Sequence, residues 1–78
     1  MNNEFKLEQE NIKEQIKYLA SMQGITMLKL KEKVNKKYNK NDSIRNLGNK
    51  LRNKTFRVSE LAEIADILGY DIFLHKRV

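Results

Sequence analysis

Asn46, Asn49 and Asn53 recur at i, i+3 and i+7 in the middle of the chain, interleaved with Arg45, Lys50 and Arg52. At about 100° per residue the asparagines fall on the side of a helix opposite Ile44, Leu47, Gly48 and Leu51, with the three basic residues flanking them. An asparagine amide offers a donor and an acceptor that match the N6/N7 edge of adenine, and an arginine does the same for guanine O6/N7. Asparagine is a poor helix former, so three on one exposed face ask for a reason beyond propensity. Two readings stand: a face that reads base edges, and a merely solvated face in a chain whose A- and T-rich coding sequence raises Asn and Lys throughout. Gly48 favours the first. Glycine inside a helix costs about 1 kcal/mol relative to alanine, and on the buried side it predicts close approach of a second helix, as in a tightly packed pair.

The distribution of charge points the same way. The 78-residue chain has a net charge of +6. Residues 1–24 carry three lysines and four glutamates, a net of −1; residues 25–57 carry eleven Lys and Arg against Glu32 and Asp42, a net of +9; residues 58–78 come to −2. A basic stripe between two mildly acidic flanks is the pattern of a docking face for a polyanion. Arg45, Asn46, Asn49, Lys50 and Asn53 are the candidate base contacts. Thr26, Lys29, Lys36, Lys37, Ser43, Arg52, Lys54 and Arg57 are the candidate phosphate contacts, and Lys31, Lys33 and Lys40 share the same lysine-rich stretch.

Other chemistries find no residues to carry them. The chain has no cysteine and one histidine, His75, so neither a thiolate nor a histidine metal cage can be assembled. No Ser/His/Asp set, P-loop or paired-carboxylate site can be built, and no cofactor, metal, enzymatic activity or small-molecule substrate is expected. Glu60, Glu63 and Asp66 recur at i, i+3 and i+6 and read as a solvated face. The six aromatic residues are scattered, unlike a sheet that stacks single-stranded bases, and Phe56 reads as a core anchor. No apolar run approaches the roughly 20 residues that span a bilayer, and a cytoplasmic protein with no membrane partner is expected.

One small domain, with a core from about residue 7 to 69, must position these side chains. Ile12, Ile16, Leu19 and Ala20 fall at helical spacing in a first helix from about Leu7 to Gln23, ended by Gly24. Thr26 caps a second, with Met27, Leu30, Val34 and Tyr38 on one face, ending near Tyr38 before the polar run 39–42. Ser43, or Asp42 before it, caps a third helix to about Asn53. Val58, Leu61, Ala62, Ala65 and Leu68 mark a fourth, closed by Gly69 and capped by Thr55 or Ser59; Ile64 and Ile67 widen its apolar surface, as expected of the central helix. Residues 70–78 change to β-branched and aromatic content with a partial period of two, a short C-terminal strand with no partner in the chain.

The stretch Gly24-Ile25-Thr26, the lysine-rich helix, the run from Ser43 to Phe56 and the ending Ile64-Ala65-Asp66-Ile67-Leu68-Gly69-Tyr70 resemble the phage-repressor (Cro/Xre) type of helix-turn-helix proteins, and more closely its small bacterial relatives with a Ser-x-x-Asn-Leu-x-x-Lys-Leu helix followed by Thr-Phe. The resemblance covers about residues 12–70. It implies an all-α, lambda-repressor-like bundle of four or five helices, the second resting across the DNA backbone and helix 43–53 in the major groove. It further implies sequence-specific binding of double-stranded DNA by a bacterial or phage transcriptional regulator. The chain departs from that pattern at Lys31, where a small alanine is usual, at Asn35 and the long turn after it, where a glycine is usual, and at Met27, where a phosphate-binding glutamine is usual.

A single module of this size reads few base pairs, so a homodimer is expected, with Ile72, Phe73 and Leu74 of two antiparallel tails in contact. The tail could instead lie back on its own helices or fray. The alternative in another class is a protein-interaction module on the same fold, antitoxin-like or an adaptor, using apolar surface residues such as Phe5, Leu28 or Phe73.

Overall fold

Each amphipathic segment becomes a helix because its apolar residues can be buried on one side only. The computed structural model describes residues 4–78. A 3-10 turn at Gln9–Asn11 leads into α1 (Ile12–Met22), followed by α2 (Met27–Tyr38), α3 (Ile44–Asn53) and α4 (Val58–Leu68). All four contribute to one core of Ile16, Leu19, Ala20, Leu30, Val34, Leu47, Leu51, Ile64 and Leu68. Phe56 packs against it as an anchor below the α3–α4 connection, together with Tyr38, Leu61 and Tyr70. No helix among the described residues is long and apolar enough to cross a membrane.

Local chemistry sets the ends. The Thr26 hydroxyl accepts a hydrogen bond from Lys29 N, and the Ser43 hydroxyl one from Asn46 N, each at 3.1 Å, so both residues satisfy an otherwise orphan amide at a helix start. α2 ends at Asn39 and α3 at Lys54, both in the left-handed conformation with φ of 55° and 57°. α4 closes on Gly69, φ 84°, with Tyr70 N bonded to Ala65 O. Its start differs from expectation. Neither Thr55 nor Ser59 caps it: Arg57 is the cap residue, and the Glu60 carboxylate reaches back to accept from Arg57 N at 2.9 Å, so one acid replaces a hydroxyl cap.

Packing corrects three further expectations. α2, not α4, is central, since α2 packs on α1, α3 and α4, and its Leu30 is fully buried. Val58 and Ala62 of the expected α4 stripe are exposed, whereas Ile64 and Leu68 are buried. Nothing lies within 4 Å of where a Cβ on Gly48 would be, so no helix approaches there and the glycine has no packing role.

Residues 70–78 form no strand: beyond Leu68 no helix or strand is assigned. A lone strand has nothing to pair with among the described residues of one chain, and Ile72, Phe73 and Leu74 stand 48, 63 and 98% exposed. At the other end, Gln15 clips the incoming segment to α1, accepting from Glu8 N and donating to Lys6 O. Phe5 stacks on Tyr18 with ring centroids 5.9 Å apart.

Candidate nucleic-acid interface

Burial of Leu47 and Leu51, four residues apart, orients α3. Arg45, Asn46, Asn49, Arg52 and Asn53 are consequently all exposed, on the side turned away from the core. Arg52 Nη1 donates to Asn49 Oδ1 at 3.0 Å. That bond orients the Asn49 amide and leaves its NH2 and one oxygen lone pair unused.

Lys50 stands apart from these five. Its ammonium donates to Glu60 Oε2 at 2.6 Å, so it leans toward α4 and lines an open cleft of about 500 Å³ with Lys40, Arg57 and Glu60. Lys50, expected as a base contact flanking the asparagines, is thus turned toward α4 instead.

α2 divides its lysines into two sets. Lys29, Lys33 and Lys36 follow one another at i, i+4 and i+7 on an exposed side. Lys33 and Lys36 have no ion pair among the described residues, and Lys29 has only an exposed one, 3.9 Å from Glu32. Lys37, expected as a phosphate contact, instead pairs with Asp66 at 2.5 Å. The turn lysine Lys40 pairs with Glu63 at 2.5 Å. Glu60, Glu63 and Asp66, read from sequence as solvated, are thus the acceptors of three inter-segment ion pairs. The only hint in the sequence was their three-residue spacing beside a lysine-rich segment.

Lys31 was equally hidden: it is buried, with its ammonium 3.2 Å from Asp42 Oδ2. Asn35 braces the same turn by donating to Asp42 O at 2.8 Å, while its Oδ1 is buried without a hydrogen-bond partner.

These contacts shift proton affinities. The Lys31 hydrogen bond, then its charge, holds Asp42 below the ordinary carboxylate range. Hydrogen bonds from Lys37 and Tyr38 do the same for Asp66. Burial pushes Glu60 upward, yet hydrogen bonds from Arg57 N and Lys50 outweigh it and the carboxyl ends lower. The Asp66 hydrogen bond raises both Lys37 and the Tyr38 phenol, and the Glu63 hydrogen bond raises Lys40.

Thr26 and Ser43 cap helices with their oxygens and keep a hydroxyl proton for an outside acceptor. Lys54 and Arg57 are exposed in the α3–α4 connection, beside a smaller groove lined by Ile12, Phe56, Val58 and Leu61. Compared with known protein families, curated proteins and solved structures, the chain matches none. Among the described residues no three His, Cys, Asp or Glu side chains gather as a metal cage.

Of the apolar residues named for a protein-binding surface, Phe5 is half-buried on Tyr18 while Leu28 and Phe73 remain exposed.

Proposed function

We propose that this protein binds double-stranded DNA sequence-specifically as a helix-turn-helix module, with α3 entering the major groove, in the manner of a bacterial or phage transcriptional regulator. One observation carries the reading. Arg45, Asn46, Asn49, Arg52 and Asn53 all face solvent from a single helix whose other side, Leu47 and Leu51, is locked in the core. Arg45, Asn46, Asn49 and Asn53 offer amide and guanidinium groups at the spacing that base edges accept, on a rigid element rather than a loop, and Arg52 beside them orients the Asn49 amide and is free to meet a phosphate. Lys29, Lys33, Lys36, Lys54 and Arg57, with the Thr26 and Ser43 hydroxyls, supply the phosphate contacts that position it.

Reading of a full site calls for two copies. Ile72, Phe73 and Leu74 are the contact we assign to a homodimer, each tail supplying the strand the other lacks.

The test is a fluorescence-anisotropy titration with mixed-sequence duplex DNA at low and moderate salt. Binding at low salt that weakens steeply with added salt is expected. A flat signal at both overturns the reading and leaves the second one, a protein-interaction module, which the exposure of Leu28 and of the 72–74 triplet favours.

A further inference from the structure

Glu60, Glu63 and Asp66 rise about 4.5 Å apart along α4, and each meets a lysine from a different segment: Lys50 of α3, Lys40 of the turn and Lys37 near the end of α2. Three of the eleven basic side chains in residues 25–57 are thereby neutralised from within. We infer that this acidic ladder is an internal counter-anion that withholds Lys37, Lys40 and Lys50 from polyanions, and so sets how many lysines the protein can offer to phosphate.

Geometry supports exchange rather than permanent burial. The Lys37 and Asp66 side chains are about half exposed, and Lys40, Lys50 and Glu60 line the open cleft, so a phosphate oxygen can reach each ammonium. Glu60 divides its work between two oxygens: Oε1 holds Arg57 N and Oε2 holds Lys50. Lys50 can therefore leave without uncapping α4. An anion that takes these lysines must displace carboxylates that carry the same sign of charge as itself and already hold the ammonium groups, and a loosely placed polyanion gains too little from each contact to do so. Discrimination then falls to the exposed face of α3. This inference rests on the DNA-binding reading for its biological meaning, but the ladder itself can be tested with any polyanion.

The experiment compares the full chain with E60Q/E63Q/D66N, which keeps an acceptor at every rung and removes the charge. A matched control, E8Q/E10Q/E14Q, makes the same change in net charge on the N-terminal side. Binding of heparin and of mixed duplex DNA is measured against salt, with helical circular dichroism confirming the fold. Release of three lysines steepens the logarithmic salt slope by about two to three and raises low-salt affinity by about tenfold, while the control shifts it far less. Equal shifts in the two triple variants overturn the ladder. If E60Q disturbs the α4 cap, E63Q/D66N carries the same comparison with a slope change of about two. No duplex binding by any variant, together with a ladder-specific shift on heparin, refutes the DNA reading and leaves the ladder standing.

Discussion

Lys31 Nζ lies 3.2 Å from Asp42 Oδ2, an ion pair that ties the buried side of α2 to the turn entering α3. Lys31 occupies a core-facing position where a small residue would allow closer helix packing. The lysine fills that space with its methylene stem and carries its charge to the Asp42 carboxylate. The turn is long because it has to bring Asp42 back to Lys31 and to the Asn35 amide.

Asp42→Ala should therefore be the most damaging single change in the turn. It leaves a buried ammonium without its partner, at a cost of about 1–3 kcal/mol. Lys31→Met, which keeps the stem and discards the charge, should be near neutral or stabilising, because the desolvation of Lys31 disappears with it. Urea melts of the two variants decide the matter, and a Lys31→Met chain that falls as far as Asp42→Ala would show that the pair contributes net stability.

Asp42, Glu60 and Asp66 are all held below the ordinary carboxylate range, so their contribution to stability is present above their unfolded values and is lost as pH falls through the folded ones. The melting midpoint should hold down to about pH 4.5 and decline below about pH 4. Lys37 and Lys40 are raised, so their contribution is present below about pH 10.5 and is lost at higher pH. Asp66→Asn should flatten the acid decline and return the Tyr38 phenol toward its ordinary range, which ultraviolet titration reads directly. A midpoint unchanged from pH 5 to 2 would contradict the pairing.

Lys54 holds a left-handed φ of 57° at the end of α3, a conformation glycine adopts with less strain than lysine. Lys54→Gly should raise stability by up to about 1 kcal/mol, reduced by the greater freedom glycine has when unfolded. The same change removes a proposed phosphate contact, so duplex affinity should fall while the melting temperature rises. Loss of both together would place Lys54 in the fold rather than at the interface.

Asn46→Ala and Asn49→Ala should each relax base preference at a cost of about 1–3 kcal/mol, whereas Lys36→Ala should weaken all sequences alike. Arg52→Ala should resemble a mild Asn49→Ala, because Arg52 orients the Asn49 amide at 3.0 Å. Selection from a random duplex pool before and after each substitution measures this. An unchanged preferred site in both asparagine variants would remove α3 from the reader role.

The helices were legible because their signals are local. Thr26, Ser43 and Gly69 mark ends through chemistry within a few residues, and the Leu47/Leu51 spacing alone turns the asparagines outward. The ion pairs were not legible, because Lys37 and Asp66 lie 29 residues apart and nothing in either neighbourhood names the other. Gly48 misled for a related reason: a glycine signals space, and here the space is filled by nothing. Lys50 was counted among the base contacts as a flank of the asparagine face, yet it lies about 100° around the helix from Asn49 and its flexible stem carries the ammonium to Glu60.

The tail supplies the last prediction. Tyr70 closes α4 and packs against the core, whereas Ile72, Phe73 and Leu74 beyond it are exposed and in no strand. Three consecutive apolar side chains in water, with backbone groups that no strand among the described residues pairs, can be covered by a second copy laid antiparallel across a two-fold axis. The alternating side chains would place Ile72 and Leu74 on one face of that ribbon and Phe73 on the other. The 78-residue chain should sediment at about twice its 9.3 kDa mass, and a chain ending at Tyr70 should sediment as a monomer with its helical signal intact. Phe73→Asp alone should weaken association, and duplex affinity should drop with it, because two half-sites about 34 Å apart are then no longer held together. A 78-residue chain that stays monomeric at high concentration would remove the tail from any dimer contact, while leaving α3 free to bind a single half-site.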